Sequence, residues 1–313
     1  MLEKFCIPSN LSWRSKYFDA FTCEIPKDQR RTILRYQIPF DKKKEQELIL
    51  RHPNIANDRT LYYQRLAGAV QNQYSASRYL SKQEISSILT FEKVERIKKD
   101  GLTTIFMSTQ PIRPIRQMLK DETDTLQMVT LLMRLATILR DLNQLEPPVA
   151  HRGFDIDEIF VTEDDHYLLG GLYYTVWDDN SQAPPYLDEH PHNLPRVHQM
   201  GRIGESYDDV YTLAALGWSI FAGCPIGSEL PPMLVYPMYA PEPVAQAIMI
   251  GLSGEPDALS QFRKSLVMCR RKLVKGEIEN KTFPLIDKYT STFVEDINTY
   301  CDVTITEKGD DSK

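Results

Sequence analysis

The apolar pattern of this chain changes period near residue 110, and that change restricts the fold more than any other feature. Before it, short runs alternate. Residues 17–25 (YFDAFTCEI) and 31–39 (RTILRYQIP) carry the two-residue period of strands, with Pro26, Lys27, Asp28 and Gln29 as the turn between them. Ile88 to Arg96 and Leu102 to Met107 read as two further strands joined by the polar turn at Lys98, Lys99, Asp100 and Gly101. One helical stretch interrupts them at about 59–82, where Tyr62, Leu66, Val70 and Tyr74 recur every four residues and Leu80 follows. Beyond residue 110 the period is helical. From Thr125 to Leu145, apolar positions such as Val129, Leu132, Leu135, Ala136 and Leu139 mark a long amphipathic helix, which Pro147 and Pro148 stop. Two short strands follow at 159–161 and 167–171, around a Glu163, Asp164, Asp165 turn. A proline-bearing loop is expected at 176–205, a buried helix from near Asp208, and later helices at 241–253, 257–274 and 284–300.

This order predicts an α+β chain with a strand-rich part at 1–110 and a helical part at 111–303. The charged residues 304–313 are expected to be a disordered tail. A length of 313 residues with 42% hydrophobic content suffices for a sizeable core. The net charge of -6 speaks against general nucleic-acid binding. A local basic cluster at Arg270, Arg271, Lys272 and Lys275 is either a solvated helix face or a surface for an acidic partner. Cys6, Cys23, Cys224, Cys269 and Cys301 are odd in number and scattered, with no CxxC pair, which fits reduced thiols in a cytoplasm. The first residues, MLEKFCIPSNLSWRSK, lack an apolar run of signal-peptide length. The longest apolar stretch, Val210 to Ile226, is broken by Thr212, Ser219 and Gly223 and reads as a core helix, not a membrane span. The expectation is a cytoplasmic protein with no membrane or nucleic-acid partner.

Two segments carry a resemblance. Residues 149–171, VAHRGFDIDEIFVTEDDHYLLGG, resemble the catalytic loop and following strands of eukaryotic-type Ser/Thr protein kinases, whose pattern is H-R-D, then N, then D-F-G. Residues 208–223, DDVYTLAALGWSIFAG, resemble the central helix of the kinase large lobe. Asp209, Leu213 and Gly223 match in register, with Ala214 where the family has glycine. The resemblance implies a bilobal fold, with a small antiparallel-sheet lobe, a larger helical lobe and a boundary near Thr109 to Pro114.

It also implies that the chemistry is lost. Phosphoryl transfer needs a carboxylate base, magnesium ligands, a lysine and a glycine-rich phosphate cradle. The base position carries Gly153. The lysine two residues on is Asp155, which puts negative charge beside a transferring phosphate. The metal-binding asparagine position is Glu158, and the D-F-G aspartate position is Gly171, within Gly170-Gly171-Leu172. Gly68 is the only glycine before residue 100, so no glycine loop is present. By the TILR motif at 32–35, Arg35 stands at the ATP-lysine position, and 59–83 hold no acidic residue to pair with it. Glu84 comes late in that helix, and an alternative takes 44–55 as the glutamate helix. His151, Arg152 and Asp209 are expected to be structural remnants, with Asp209 capping loop backbone and His151 packed at Leu172.

Tyr173, Tyr174 and Trp177 follow the degenerate D-F-G as ordinary core, as a plug in the nucleotide cleft, or as a partner anchor. His190, His192 and His198 offer HxH spacing, but no metal site is expected. The implied function is a pseudokinase that binds a protein partner without a cofactor. The alternative is an atypical phosphoryl- or nucleotidyl-transferase built on Arg35, Asp155, Asp157 and Glu158. Restoring aspartates at Gly153 and Gly171 is expected to give a folded protein that remains inactive.

Overall fold

The computed structural model describes residues 2–7, 10–15, 17–25, 29–51, 59–119, 122–177, 206–222 and 239–284. The first part is a five-stranded antiparallel sheet formed by β1 (Leu11–Arg14), β2 (Asp19–Ile25), β3 (Gln29–Pro39), β4 (Lys93–Lys99) and β5 (Leu102–Thr109). Its spatial order is β1-β2-β3-β5-β4, so β5 inserts between β3 and β4. Between β3 and β4 run two helices, α1 (Lys42–Arg51) and α2 (Arg59–Leu80).

The sheet buries both faces. Ile33 on β3 joins Leu2, Phe21, Cys23 and Phe106 on one side. Leu34, Tyr36 and Ile38 on the other side pack against Tyr63, Leu66, Ala69 and Val70 of α2. A strand covered on both faces gives a nearly continuous apolar run and not a clean alternation.

The second part opens with β6 (Ile112–Pro114) and β7 (Glu122–Asp124), followed by α3 (Thr125–Asn143). Asp124 caps α3, accepting the Gln127 amide at 2.8 Å, and Gln127 reaches back to the Asp124 amide. Two further N-terminal amides are taken up from across the chain, Thr125 by the Lys281 carbonyl at 3.0 Å and Leu126 by Asn280 Oδ1 at 2.9 Å. Then come β8 (Ile159–Thr162), β9 (Tyr167–Leu169), α4 (Ser206–Ala222), α5 (Glu242–Gly251), α6 (Ala258–Val274) and β10 (Thr282–Pro284). Strands β6, β8 and β9 form one small sheet, and β10 pairs with β7 in another. The helices close on a common core in which Leu132, Leu135, Leu139, Leu213, Ala214, Phe221, Phe262 and Leu266 are buried.

The chain is therefore mixed α+β, with an antiparallel N-terminal sheet and a helical C-terminal part. Two readings need correction. Residues 88–92 are not strand; Ile88 bridges Leu169 in parallel, with the Leu89 amide donating to the Leu169 carbonyl at 3.0 Å. Pro284 ends a strand instead of starting a helix. The helix expected at about 59–82 is α2, and the segment 44–55 offered as the alternative glutamate helix begins within α1. Residues 26–28, 178–205, 285–300 and the tail 304–313 lie outside the described residues, and with them the histidine cluster. No helix among the described residues is long and apolar enough to cross a membrane.

Candidate functional site

The loop at 149–158 is built around one buried carboxylate. Asp209 sits on α4 with no exposure. Its Oδ2 accepts the His151 amide and its Oδ1 the Arg152 amide, both at 2.7 Å. Arg152 takes the left-handed conformation at φ 66°, a backbone that needs such external support. The His151 ring lies between two carbonyls, with Nε2 2.8 Å from Gly170 O and Nδ1 3.1 Å from Gly153 O, and meets Phe154 edge-on. Burial lowers its pKa to about 4 against the opposing pull of those carbonyls. A neutral imidazole donates to only one of them, and the shorter contact favours Nε2. The expected backbone-capping role of Asp209 is what the structure has. His151 does more than pack, because it ties the 151–153 loop to Gly170.

The polar residues of the loop are consumed by the loop itself. Asp155 caps the turn Ile156–Glu158 through its Oδ1, which accepts the Ile156 amide at 2.5 Å. Glu158, 6% exposed, accepts the Asp155 amide at 2.8 Å. Asp157 pairs with Arg116 at 2.7 Å in a largely buried bridge.

Gly171 faces the same carboxylate. It sits at φ +67°, where a Cβ would lie 2.7 Å from Glu158 Cδ. Glycine is favoured here by conformation, and the approach to the buried Glu158 leaves little room for a side chain. The close approach to Glu158 weighs against the expectation that Gly153→Asp plus Gly171→Asp folds normally, and a strained, less stable variant is expected instead. Gly153 is itself at φ 117°.

Arg35 does not face the helix. It pairs across β2 with Asp19 at 2.5 Å and lies over the Phe21 ring at 4.8 Å, on the opposite face of the sheet from α2. Its neighbour Tyr36 faces α2 instead. Because side chains alternate, a one-residue slip in register moves a side chain to the other face. Tyr36 is fully buried, and its hydroxyl accepts from Gln73 Nε2 of α2 at 2.8 Å and lies 3.3 Å from the Tyr173 hydroxyl. Burial pushes the ionisation of both phenols well up.

Around this trio the space between sheet and C-terminal part is filled by rings. Tyr17 meets Tyr173 edge-on at 5.0 Å, Phe18 lies 5.4 Å from Tyr36, and Tyr174 lies 6.2 Å from Tyr173. Phe160 and Leu168 complete the packing. Trp177 stands apart, stacked on Tyr79 of α2 at 6.1 Å. Asn72 latches α2 to the same segment, donating to the Tyr173 carbonyl at 3.1 Å and the Thr175 carbonyl at 3.0 Å.

Beside this packed zone a groove of about 250 Å³ opens between Trp13, Arg14, Pro114, Arg116, Gln117 and Asp157. Small-molecule sites span roughly 300–1,000 Å³, so this one is small. Among the described residues no group of three or more His, Cys, Asp or Glu could hold a metal. Sequence reasoning missed Tyr36, Gln73 and Asn72. Leu34, Tyr36 and Ile38 face α2, but Ile33 on the other face is buried as well, so the local pattern did not separate Tyr36 from Arg35. No family model matches this chain, and no curated protein matches it.

Proposed function

We propose that this chain is a kinase-like module without catalysis, a bilobal pseudokinase of the eukaryotic Ser/Thr type. It acts in a reducing cytoplasm as a protein-binding scaffold or allosteric regulator of an enzyme. The observation that carries this reading is the Tyr36, Gln73 and Tyr173 cluster. In an active kinase a lysine on the third strand pairs with a glutamate on the following helix to hold ATP phosphates. Matched by the face that meets α2, the corresponding pair in this chain is Tyr36 and Gln73. A neutral, buried hydrogen bond takes the place of an ion pair, and Tyr173 occupies the space in front of it.

The Asp209 cap supports the catalytic-loop resemblance, because it connects the two segments from which it was read, and the His151 tie to Gly170 joins the two ends of the first. The atypical transferase would need Arg35, Asp155, Asp157 and Glu158 for phosphate and metal. Each is already engaged, with Asp19, the Ile156 amide, Arg116 and the Asp155 amide respectively.

The test is phosphotransfer from radiolabelled ATP with magnesium, to the protein itself and to generic protein substrates. Active kinases turn over at about 1–100 per second. The expected result is no incorporation above a heat-denatured control. Labelling that scales with protein concentration would overturn the reading.

A further inference from the structure

We propose that the outer face of α6 docks an acidic, amphipathic helical segment of a partner protein. Lys264, Met268, Arg271 and Lys275 recur at spacings of four, three and four, so they share one helical face over roughly 16 Å. All four are exposed, Met268 at 57%. The buried side of α6 is Ala258, Phe262, Leu266, Cys269 and Leu273, which leaves this stripe turned away from the core. From 258 to 275 the chain carries six cations and no acidic residue, within a chain of net charge -6. The two cations nearest α3 meet hydroxyls, with Arg263 donating to Thr137 at 3.1 Å and Arg270 to Thr130 at 3.3 Å.

Cations in a last helical turn are favoured by the helix dipole, which accounts for Arg271 and Lys272. It accounts neither for Lys264, in the first half of the helix, nor for an exposed methionine midway along the cationic stripe. An apolar anchor flanked by like charges is complementary to a helix with an apolar centre and carboxylates at its edges. A lipid surface fits less well, since interfacial helices bury a broad apolar face with aromatic or leucine side chains, and Met268 and Val274 are the large apolar residues α6 exposes. The proposal supplies a partner class for the binding role but rests on α6 alone. Its test is blind to nucleotide, so its failure is distinguishable from failure of the pseudokinase reading.

The experiment uses the full chain and a fluorescein-labelled amphipathic peptide of leucine, alanine and glutamate, longer than ~15 residues so that it can be helical. Anisotropy should report saturable binding that weakens with salt. The Lys264→Glu/Arg271→Glu/Lys275→Glu variant should bind at least tenfold more weakly. Met268→Asp should lose about fivefold, with circular dichroism and melting temperature unchanged. Met268→Asp alone decides the matter if the triple variant does not fold. The proposal is overturned by no binding, by unchanged binding of the variants, or by equal binding of a scrambled peptide of the same composition. Tighter binding to phosphatidylserine vesicles or to duplex DNA than to the peptide would overturn it as well.

Discussion

The loop at 151–155 and the junction at Tyr36 are both buried, polar and adjacent, yet they are held by opposite means. The loop is organised by a charge, the Asp209 carboxylate, which accepts two backbone amides at 2.7 Å. The junction is organised by neutral groups, two phenols and an amide, packed among aromatic rings. A buried carboxylate is tolerable where fixed amides replace its hydration; a buried cation at Tyr36 would need a partner that α2, with no acidic residue, does not supply. The contrast teaches that backbone architecture and chemistry can separate. The loop keeps a charged organiser, whereas the junction against α2 is built of neutral groups.

The sharpest way to test this contrast is to remove the charged organiser. Asp209→Ala leaves two buried amides without an acceptor, each costing about 1–3 kcal/mol, so roughly 3–5 kcal/mol in total is expected. Urea denaturation measures it. A loss below ~1 kcal/mol would mean that the loop holds itself.

Next in size is the pH response of the loop. The folded pKa of His151, about 4, lies below the ordinary value of 6.5 for the free side chain. Between those values the unfolded chain binds the extra proton and the folded chain does not, so stability falls as pH drops from about 6.5 toward 4. The shift corresponds to roughly 3 kcal/mol. Unfolding midpoints of wild type and His151→Gln, compared at pH 7 and at pH 4.5, should show a shallower decline in the variant. Parallel declines would remove His151 as the cause.

The smallest effects distinguish the two faces of β3. Tyr36→Phe keeps the ring but deprives Gln73 of its acceptor and Tyr173 of its partner, for an expected loss of about 1–2 kcal/mol. Arg35→Gln breaks a partly exposed pair with Asp19 and should cost about 1 kcal/mol or less. The reverse order would show that Arg35 is the residue on which the junction depends.

Much of this was legible in the sequence. The long period of 125–145 gave α3, and the resemblance of 208–223 to the central helix of the kinase large lobe implied that Asp209 caps loop backbone. Arg35 and Tyr36 were confused because β3 is covered on both faces. Where Ile33, Leu34 and Tyr36 are all buried, alternation is blurred and the choice of face rests on packing that no local window contains. The pairing of β7 with β10 joins residues about 160 apart in the chain, so it carries no local signal. Residues 88–92 look like strand because Ile88, Leu89 and Phe91 are apolar, but Ile88 bridges Leu169 at the end of β9 and the Phe91 amide bonds Ser77 of α2, so the segment stays outside β4. Gly171 looked like a lost aspartate. Its positive φ and the close approach of Glu158, neither visible in a sequence, favour glycine at this position.

The rings of Tyr17, Phe18 and Tyr173 fill the space around Tyr36, and the proposed function requires that no nucleotide bind there. Thermal unfolding with and without MgATP tests it most directly. A ligand at 100 times its dissociation constant adds about 2.7 kcal/mol to stability. No change in melting temperature is expected up to millimolar MgATP. A rise of several degrees that saturates with nucleotide would contradict it.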